Sequence, residues 1–245
     1  MGLDELSAWQ WAVGACVVAV AYLVRGIAGF GSGLIAVPLL ALMLPLALVV
    51  PLVVLLDYIA SASQGSANRR DIRWREILPL LPFSLIGVLI ALFALSRADA
   101  QLLLQGLGVF VIAFALYTLS GYTPKQGAAR GWGVLAGTSG GLIGTLFGTG
   151  GPFYVMYFKA RGLDKSAFRA TFATVFLIDG AGRLLGYAGT GFFTWDFLSV
   201  VALALPLMAV ALYLGGQIHT HLSQQAFQRG ISVLLIVSGV ALLFK

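Results

Sequence analysis

Long stretches without a single charged residue alternate with short polar loops along this chain. Residues 9–24, 34–56, 77–95, 102–122, 132–158, 170–178, 197–218 and 230–244 form such runs. About 20 apolar residues in a helix cross the hydrocarbon of a bilayer, and most of the runs reach that scale alone or in groups. None shows the two-residue alternation of a half-buried strand. Inside a bilayer the backbone must satisfy its own hydrogen bonds, so transmembrane helices are the expected elements. Runs 77–95 and 102–122 predict simple spanning helices. Run 34–56 is punctuated by Pro38, Pro45 and Pro51, and run 132–158 is rich in glycine. Both predict interrupted helices.

Composition removes the soluble classes. Of 245 residues, 60% are hydrophobic, only 10% are charged and 31 are glycine. A soluble domain carries about 25% charged residues, and its core needs a polar coat that so few charges cannot supply. A soluble enzyme, a disordered chain and a disulfide scaffold therefore fit poorly. The net charge of +6 is spread over short loops between apolar runs, which is a topology signal, and no nucleic-acid partner is expected. A single cysteine, Cys16, allows no internal disulfide. Asp4 and Glu5 precede the first run, where a signal peptide would be basic, so that run is expected to be a membrane helix. Cys16 is expected to be a small apolar residue in it, with no lipid attached.

The pattern occurs twice. Trp11 and Trp132 open the two halves, and Phe30-Gly31-Ser32-Gly33 recurs as Phe147-Gly148-Thr149-Gly150. Asp57 recurs as Asp179, Trp74 as Trp195, and Gly106 as Gly230, all about 120 residues apart and in one order. Such order indicates duplication, with residues 1–122 as the first repeat and 123–245 as the second. Each half reads as five elements: a first helix, a glycine break, a short helix (34–43 and 152–160) and three full spans. Ten helical residues rise roughly 15 Å, half of a roughly 30 Å core, so the first two elements predict a hairpin that turns within the membrane, re-entrant or fully crossing. Five elements are odd, so the second half should be inverted. Loop charge agrees. Arg69, Arg70, Arg73, Arg75, Lys125, Arg130, Lys159, Arg161, Lys165, Arg169 and Arg229 fall on one side, against Arg97 and Lys245 on the other. The basic side is the cytoplasmic one, which puts both termini outside. All five tryptophans stand at expected helix starts, where interface anchors belong.

The chemistry-bearing segments are GIAGFGSGLIAVP (26–38) and GLIGTLFGTGGPF (141–153). A dinucleotide fingerprint would need a preceding strand and a following acidic residue in a βαβ unit, and neither is present. Close packing of helices through small residues explains the glycines. It explains less well a hydroxyl between glycines in both halves, or Gly151-Pro152 with proline at a helix start. Broken helices explain all three: free N–H groups and the positive dipole end would face an anion, with Ser32 and Thr149 helping. Gly31, Ser32, Gly33, Gly148, Thr149, Gly150 and Gly151 are the resulting candidates for substrate binding.

These two segments, some 120 residues apart in a chain of this length, resemble the TauE/SafE family of membrane proteins. The resemblance spans essentially the whole chain and rests on Gly26, Gly29, Gly31, Gly33 and Pro38, and on Gly140, Gly144, Gly148, Gly150, Gly151 and Pro152. It implies movement of sulfite or small organosulfur anions. Leu34 stands where the second segment has Gly151, which leaves the symmetry of the two sites open.

Four charges lie within or beside the apolar runs: Arg25, Asp57, Asp179 and Arg183. Facing lipid at mid-membrane, each would cost about 2.5–3.5 kcal/mol, so they should face the interior. Asp179 and Arg183 are four apart and can pair on one helix. They form either a structural pair or a substrate cation with its counter-charge. Asp57 has no cation at helical spacing. It is left to be protonated, to pair with Arg25 across helices or to carry a coupling proton. Arg25 either serves the first break or snorkels to an interface. Ser61, Ser63, Gln64, Asn68, Thr171 and Thr174 line a pathway or bond to the packing. His219 and His221 lack further ligands for a metal, and no nucleophile-base set is in view.

The expectation is thus an all-α integral membrane protein of two inverted repeats, without cofactor or metal. It would work as a secondary transporter of a small anion in the cytoplasmic membrane, contacting lipid, with self-association left open. An anion channel is the alternative, and a membrane-embedded enzyme or assembly factor lacks a reactive constellation.

Overall fold

Local chemistry sets where the helices begin and end. The computed structural model describes residues 7–67, 69–122, 126–127, 129–189, 191–218 and 224–245. α1 (Ala8–Ala28) starts at a capping box in which Ser7 accepts from the Gln10 N–H and the Gln10 side chain accepts from Ser7. It stops at Gly29, whose φ of 84° is the left-handed cap that glycine tolerates. The ten-residue α2 (Ser32–Ala41) follows the first break, and α3 (Leu46–Ala67) runs back with Asp57 near its middle. Then come α4 (Trp74–Ile77), α5 (Leu81–Leu95) and α6 (Ala100–Leu119). In the second half come α7 (Trp132–Phe147), the ten-residue α8 (Gly151–Ala160), α9 (Lys165–Gly189), α10 (Trp195–Gln217) and α11 (Gln224–Leu243). Among the described residues, regular structure is entirely helical.

Three expectations change in detail. The run 77–95 is not one spanning helix. Pro79 and Pro82 deny N–H groups to a continuous ladder, so the chain turns between α4 and α5, with Pro82 in the first turn of α5. The run 170–178 is only the middle of α9, which continues for 25 residues through Asp179 and Arg183. α1 also continues past residue 24, so Arg25 lies inside it. Among the described residues, four helices are long and apolar enough to cross a membrane: α1, α3 over Leu46–Gln64, α6 and α10.

The principal packing partners are α1 with α10, α5 with α7, α6 with α11, and α3 with α9 at the centre. Three of these pairs close on glycine. A Cβ at Gly26 would lie 2.8 Å from the Gly215 Cα, a Cβ at Gly137 2.6 Å from the Leu80 carbonyl oxygen, and a Cβ at Gly108 2.8 Å from the Gly239 carbonyl oxygen. Without a hydrophobic drive between helices in lipid, such close backbone approach is a main source of association. Small-residue packing therefore accounts for many of the glycines, including Gly33 and Gly150 of the two breaks, whose Cβ positions would lie 2.3 Å and 2.2 Å from the Gly148 and Gly140 carbonyl oxygens. Apolar side chains such as Leu89, Phe93, Val109, Leu116, Leu203 and Val210 point outward, as lipid contact requires, and all five tryptophans are exposed.

One end of the molecule is tied by charge. Glu76 accepts from Arg161 Nε at 2.8 Å and Nη2 at 3.1 Å and from the Tyr157 hydroxyl at 3.0 Å, with Arg130 3.6 Å away. Burial alone would raise the Glu76 carboxyl. The hydrogen bonds from Arg161 and Tyr157 and the nearby charges of Arg161 and Arg130 outweigh it and hold the group below its ordinary value. The Gly127 N–H donates to the Ala160 carbonyl at 2.9 Å, so three of the basic loops meet here. Elsewhere, Lys245 Nζ donates to the Ala41 carbonyl at 2.8 Å, which seats the last residue beside the end of α2.

Candidate functional site

Each break presents a helix start with nothing to cap it. The first N–H groups of any helix lack intrahelical partners. Gly31, at φ 101°, precedes α2 and offers no side chain, and Gly150 does the same before α8. Gly148 closes α7 at φ 65°, the counterpart of Gly29. Pro152 sits in the first turn of α8, where its missing N–H costs nothing. The two breaks abut: a Cβ built on Gly33 would overlap the carbonyl oxygen of Gly148.

A recess opens where they meet, with about 260 Å³ of atom-free space including its mouth. Its wall is Arg25, Phe30, Gly31, Gly33, Leu34, Asp57, Gly148, Thr149, Gly151, Pro152, Phe172 and Phe176. Seven of the sequence candidates (Arg25, Gly31, Gly33, Asp57, Gly148, Thr149 and Gly151) thus come together from both halves of the chain.

Arg25 and Asp57 pair across α1 and α3 at 2.9 Å, and both are buried. Asp57 thus pairs with Arg25 across helices, and Arg25, 1% exposed, does not snorkel to an interface. The Asp57 Oδ1 also accepts from the Tyr22 hydroxyl at 2.8 Å and the Ser32 hydroxyl at 2.6 Å. Arg25 Nη1 donates to Ser32 at 3.1 Å, and Nη2 to Ser61 at 2.6 Å and to the Asp57 carbonyl at 3.3 Å. Ser32 is therefore engaged within this network, hydrogen-bonded to both Arg25 and Asp57. The Thr149 Oγ1 is buried with no partner, and so is Arg25 Nε.

The second charge cluster lies behind the α7–α8 break. Arg183 pairs with Asp179 one turn earlier on α9 and donates to the Gly140 carbonyl at 3.0 Å. Ser84 donates to Asp179, and the Tyr154 hydroxyl reaches Asp179 at 3.1 Å and Ser84 at 3.2 Å. Arg183 fills the space that a Cβ on Gly144 would need and lies 3.1 Å from the Cβ position of Gly150. It supports the second break from behind and is not part of the recess wall. The Phe176 ring centre lies 5.8 Å from the Arg25 guanidinium carbon and 5.9 Å from that of Arg183.

Of the other polar candidates, Ser61 joins the Arg25 network. Ser63 donates to the Ala60 carbonyl at 2.8 Å, Thr174 to the Ala170 carbonyl at 2.8 Å, and Thr171 accepts from the Arg73 N–H at 3.0 Å. Gln64 is half-buried and outside the recess wall. Asn68, His219 and His221 lie outside the described residues. Sequence reasoning missed Tyr22, Ser84 and Tyr154, and the aromatic wall of Phe30, Phe172 and Phe176. A signal existed for two of these. Tyr22 is three residues before Arg25, on the same helical face, and Phe168, Phe172 and Phe176 recur every fourth residue along α9.

Comparison with known proteins finds relatives of this chain. A family model described as Sulfite exporter TauE/SafE matches residues 14–242. The chain is 31% identical over 201 residues (78% of this chain, 81% of the relative) to the "Probable inner membrane transporter protein TsaS" of Comamonas testosteroni. It is 26% identical over 224 residues (89% and 87%) to the "Probable sulfite/organosulfonate exporter TauE" of Cupriavidus necator. No solved structure matches.

Proposed function

The chain belongs to the sulfite exporter TauE/SafE family, and from that premise we propose that it is a secondary transporter carrying sulfite or an organosulfonate across the inner membrane. One observation carries the reading for this chain: two buried donors without partners, Arg25 Nε and Thr149 Oγ1, belong to the wall of a recess bounded by two uncapped helix starts. Donors left unpaired in a low-dielectric interior are costly, and an oxyanion between the breaks would satisfy them. Gly31, Gly33, Gly150 and Gly151 bring backbone N–H groups close, with Ser32 and Asp57 holding Arg25; the Gly148 N–H is spent on the Gly144 carbonyl. Asp179 and Arg183 hold the second break.

Purified protein in liposomes should move sulfite with saturable kinetics, read by a sulfite-reactive dye. Accumulation against a sulfite gradient, driven by an imposed ion gradient, separates a coupled carrier from a channel. Absence of saturable movement of any sulfur oxyanion would overturn the reading.

Alternating access needs two halves that can rock about a shared site, and we assign residues 1–122 and 123–245 to inverted halves with both termini outside. The packing supports this: exchanging the halves turns the α1–α10 pair into α7–α5 and returns α3–α9 and α6–α11 to themselves. The charge asymmetry of the loops supports the orientation. Single cysteines at exposed Ala129 and Asp196 in a Cys16→Ser background are expected to react with an impermeant maleimide from opposite sides, Ala129 from the cytoplasm. Labelling of both from one side rejects the inverted arrangement.

A further inference from the structure

The recess opens at one edge. Of its wall residues only Phe30 and Gly31 are partly exposed, and the rest are buried. Its mouth is therefore at the first break, and Arg169 stands there. The Arg169 side chain lies against Gly29, where an added Cβ would be 3.3 Å from its Cγ, and its Nη2 donates to the Ile27 carbonyl of α1 at 2.9 Å. Phe168, next to it in the chain, packs on Phe30 and Phe172 with ring centres 6.1 and 5.7 Å away. Arg169, Phe172 and Phe176 follow one another at helical spacing along α9, so Arg169 is one turn from the wall on the same face. This start of α9 packs against α4 and the turn Arg69–Asp71. The mouth thus faces the end of the molecule that carries Glu76 and the basic loops.

Arg169 differs from the arginines deeper in the molecule. Arg25 and Arg183 each hold a carboxylate, whereas among the described residues no carboxylate lies within ion-pair distance of Arg169. Its one hydrogen bond among them goes to the Ile27 carbonyl, one of the last of α1, which have no partner within the helix. Those carbonyls are the negative end of the α1 dipole and, uncovered, would repel an anion at the mouth. Arg169 covers them, and its half-buried guanidinium keeps Nε and Nη1 for another acceptor. We propose that Arg169 captures the anion at the mouth and passes it by Phe30 and Phe172 to Arg25 Nε and Thr149. The inference rests on the transport reading and the orientation above, and adds a substrate-contacting residue to them. With the basic end in the cytoplasm, capture is from the cytoplasm. A cation at such a mouth raises the local anion concentration. It also gives the anion a partner while it sheds water in front of the apolar rings.

Sulfite transport in oriented proteoliposomes, with sulfite supplied at the cytoplasmic face, tests the proposal. Arg169→Gln keeps a donor for the Ile27 carbonyl and removes the charge. It should raise the sulfite KM roughly tenfold and leave kcat nearly unchanged. Arg169→Lys returns the charge and should bring KM most of the way back. A residue that only capped α1 would instead lower the melting temperature and kcat together, whatever its charge. The charge can also be changed after folding. Arg169→Cys in a Cys16→Ser background, alkylated with 2-bromoethylamine, regains a cation and should recover a low KM. The same protein alkylated with iodoacetamide stays neutral and should not. A wild-type KM in Arg169→Gln, a rise that Arg169→Lys leaves unrepaired, or equal KM values for the two alkylated forms overturns the capture role and leaves the transport reading intact. A KM raised only at the opposite face overturns capture from the cytoplasm. Absence of saturable transport by the unsubstituted protein overturns the transport reading instead.

Discussion

Arg25→Gln is expected to abolish transport and to destabilise the protein strongly. The change leaves the Asp57 carboxylate buried with only the Tyr22 and Ser32 hydroxyls for company. Removing one partner of a buried ion pair costs about 3–5 kcal/mol, because the survivor is desolvated and uncompensated. It also orphans Ser61 and removes the Nε donor from the recess wall. The double variant Arg25→Gln with Asp57→Asn carries no lone charge, so most of the lost stability should return, read as a thermal melt in detergent. Transport should not return, since the guanidinium proposed to meet the anion in the recess wall is gone. A double variant that carries sulfite at the wild-type rate would reduce the pair to a structural role.

The second large effect is expected at Gly33. Its Cβ position lies 2.3 Å from the carbonyl oxygen of Gly148, a backbone atom that cannot rotate away. Gly33→Ala must therefore push the two breaks apart. Overpacking of this kind costs about 1–3 kcal/mol, and here the displaced backbone forms the recess itself, so transport should be lost along with stability. Two alanine substitutions provide the scale. Gly216→Ala, at an open helical position with no atom near its Cβ, should be neutral or stabilising by about 0.5–1 kcal/mol. Gly31→Ala meets no atom either but sits at φ 101°, so it should cost about 1–2 kcal/mol of backbone strain. Gly33→Ala with wild-type melting temperature and transport would mean that the breaks do not touch. Gly150→Leu belongs with Gly33 rather than with Gly31, because a Cβ there would overlap the Gly140 carbonyl oxygen and crowd Arg183.

Features set by neighbours along the chain were legible in the order of residues alone. Helix content followed from runs too long and too apolar for water, and the breaks from glycines whose left-handed backbone no other residue adopts cheaply. The ten-residue lengths of α2 and α8 followed from the punctuation at each end. The Asp179–Arg183 pair was readable because four residues make one helical turn. Where such signals failed, they failed locally: Pro79 and Pro82 divided an apolar run that hydropathy alone read as one helix.

Tertiary structure decided everything that depends on helices meeting. Arg25 and Asp57 are 32 residues apart, and nothing local says that α1 and α3 bring them within 2.9 Å. The equivalence of Ser32 and Thr149 was a sequence symmetry that packing broke. Ser32 turns into the Arg25–Asp57 network, while Thr149 has no buried partner. Arg183 and Arg25 looked alike as charges in apolar runs, yet only Arg25 reaches the recess wall, because α9 carries Arg183 behind the second break. Residue types and local backbone states are properties of the chain, whereas the balance of charges that a buried anion would meet exists only once helices from both halves are packed around one point.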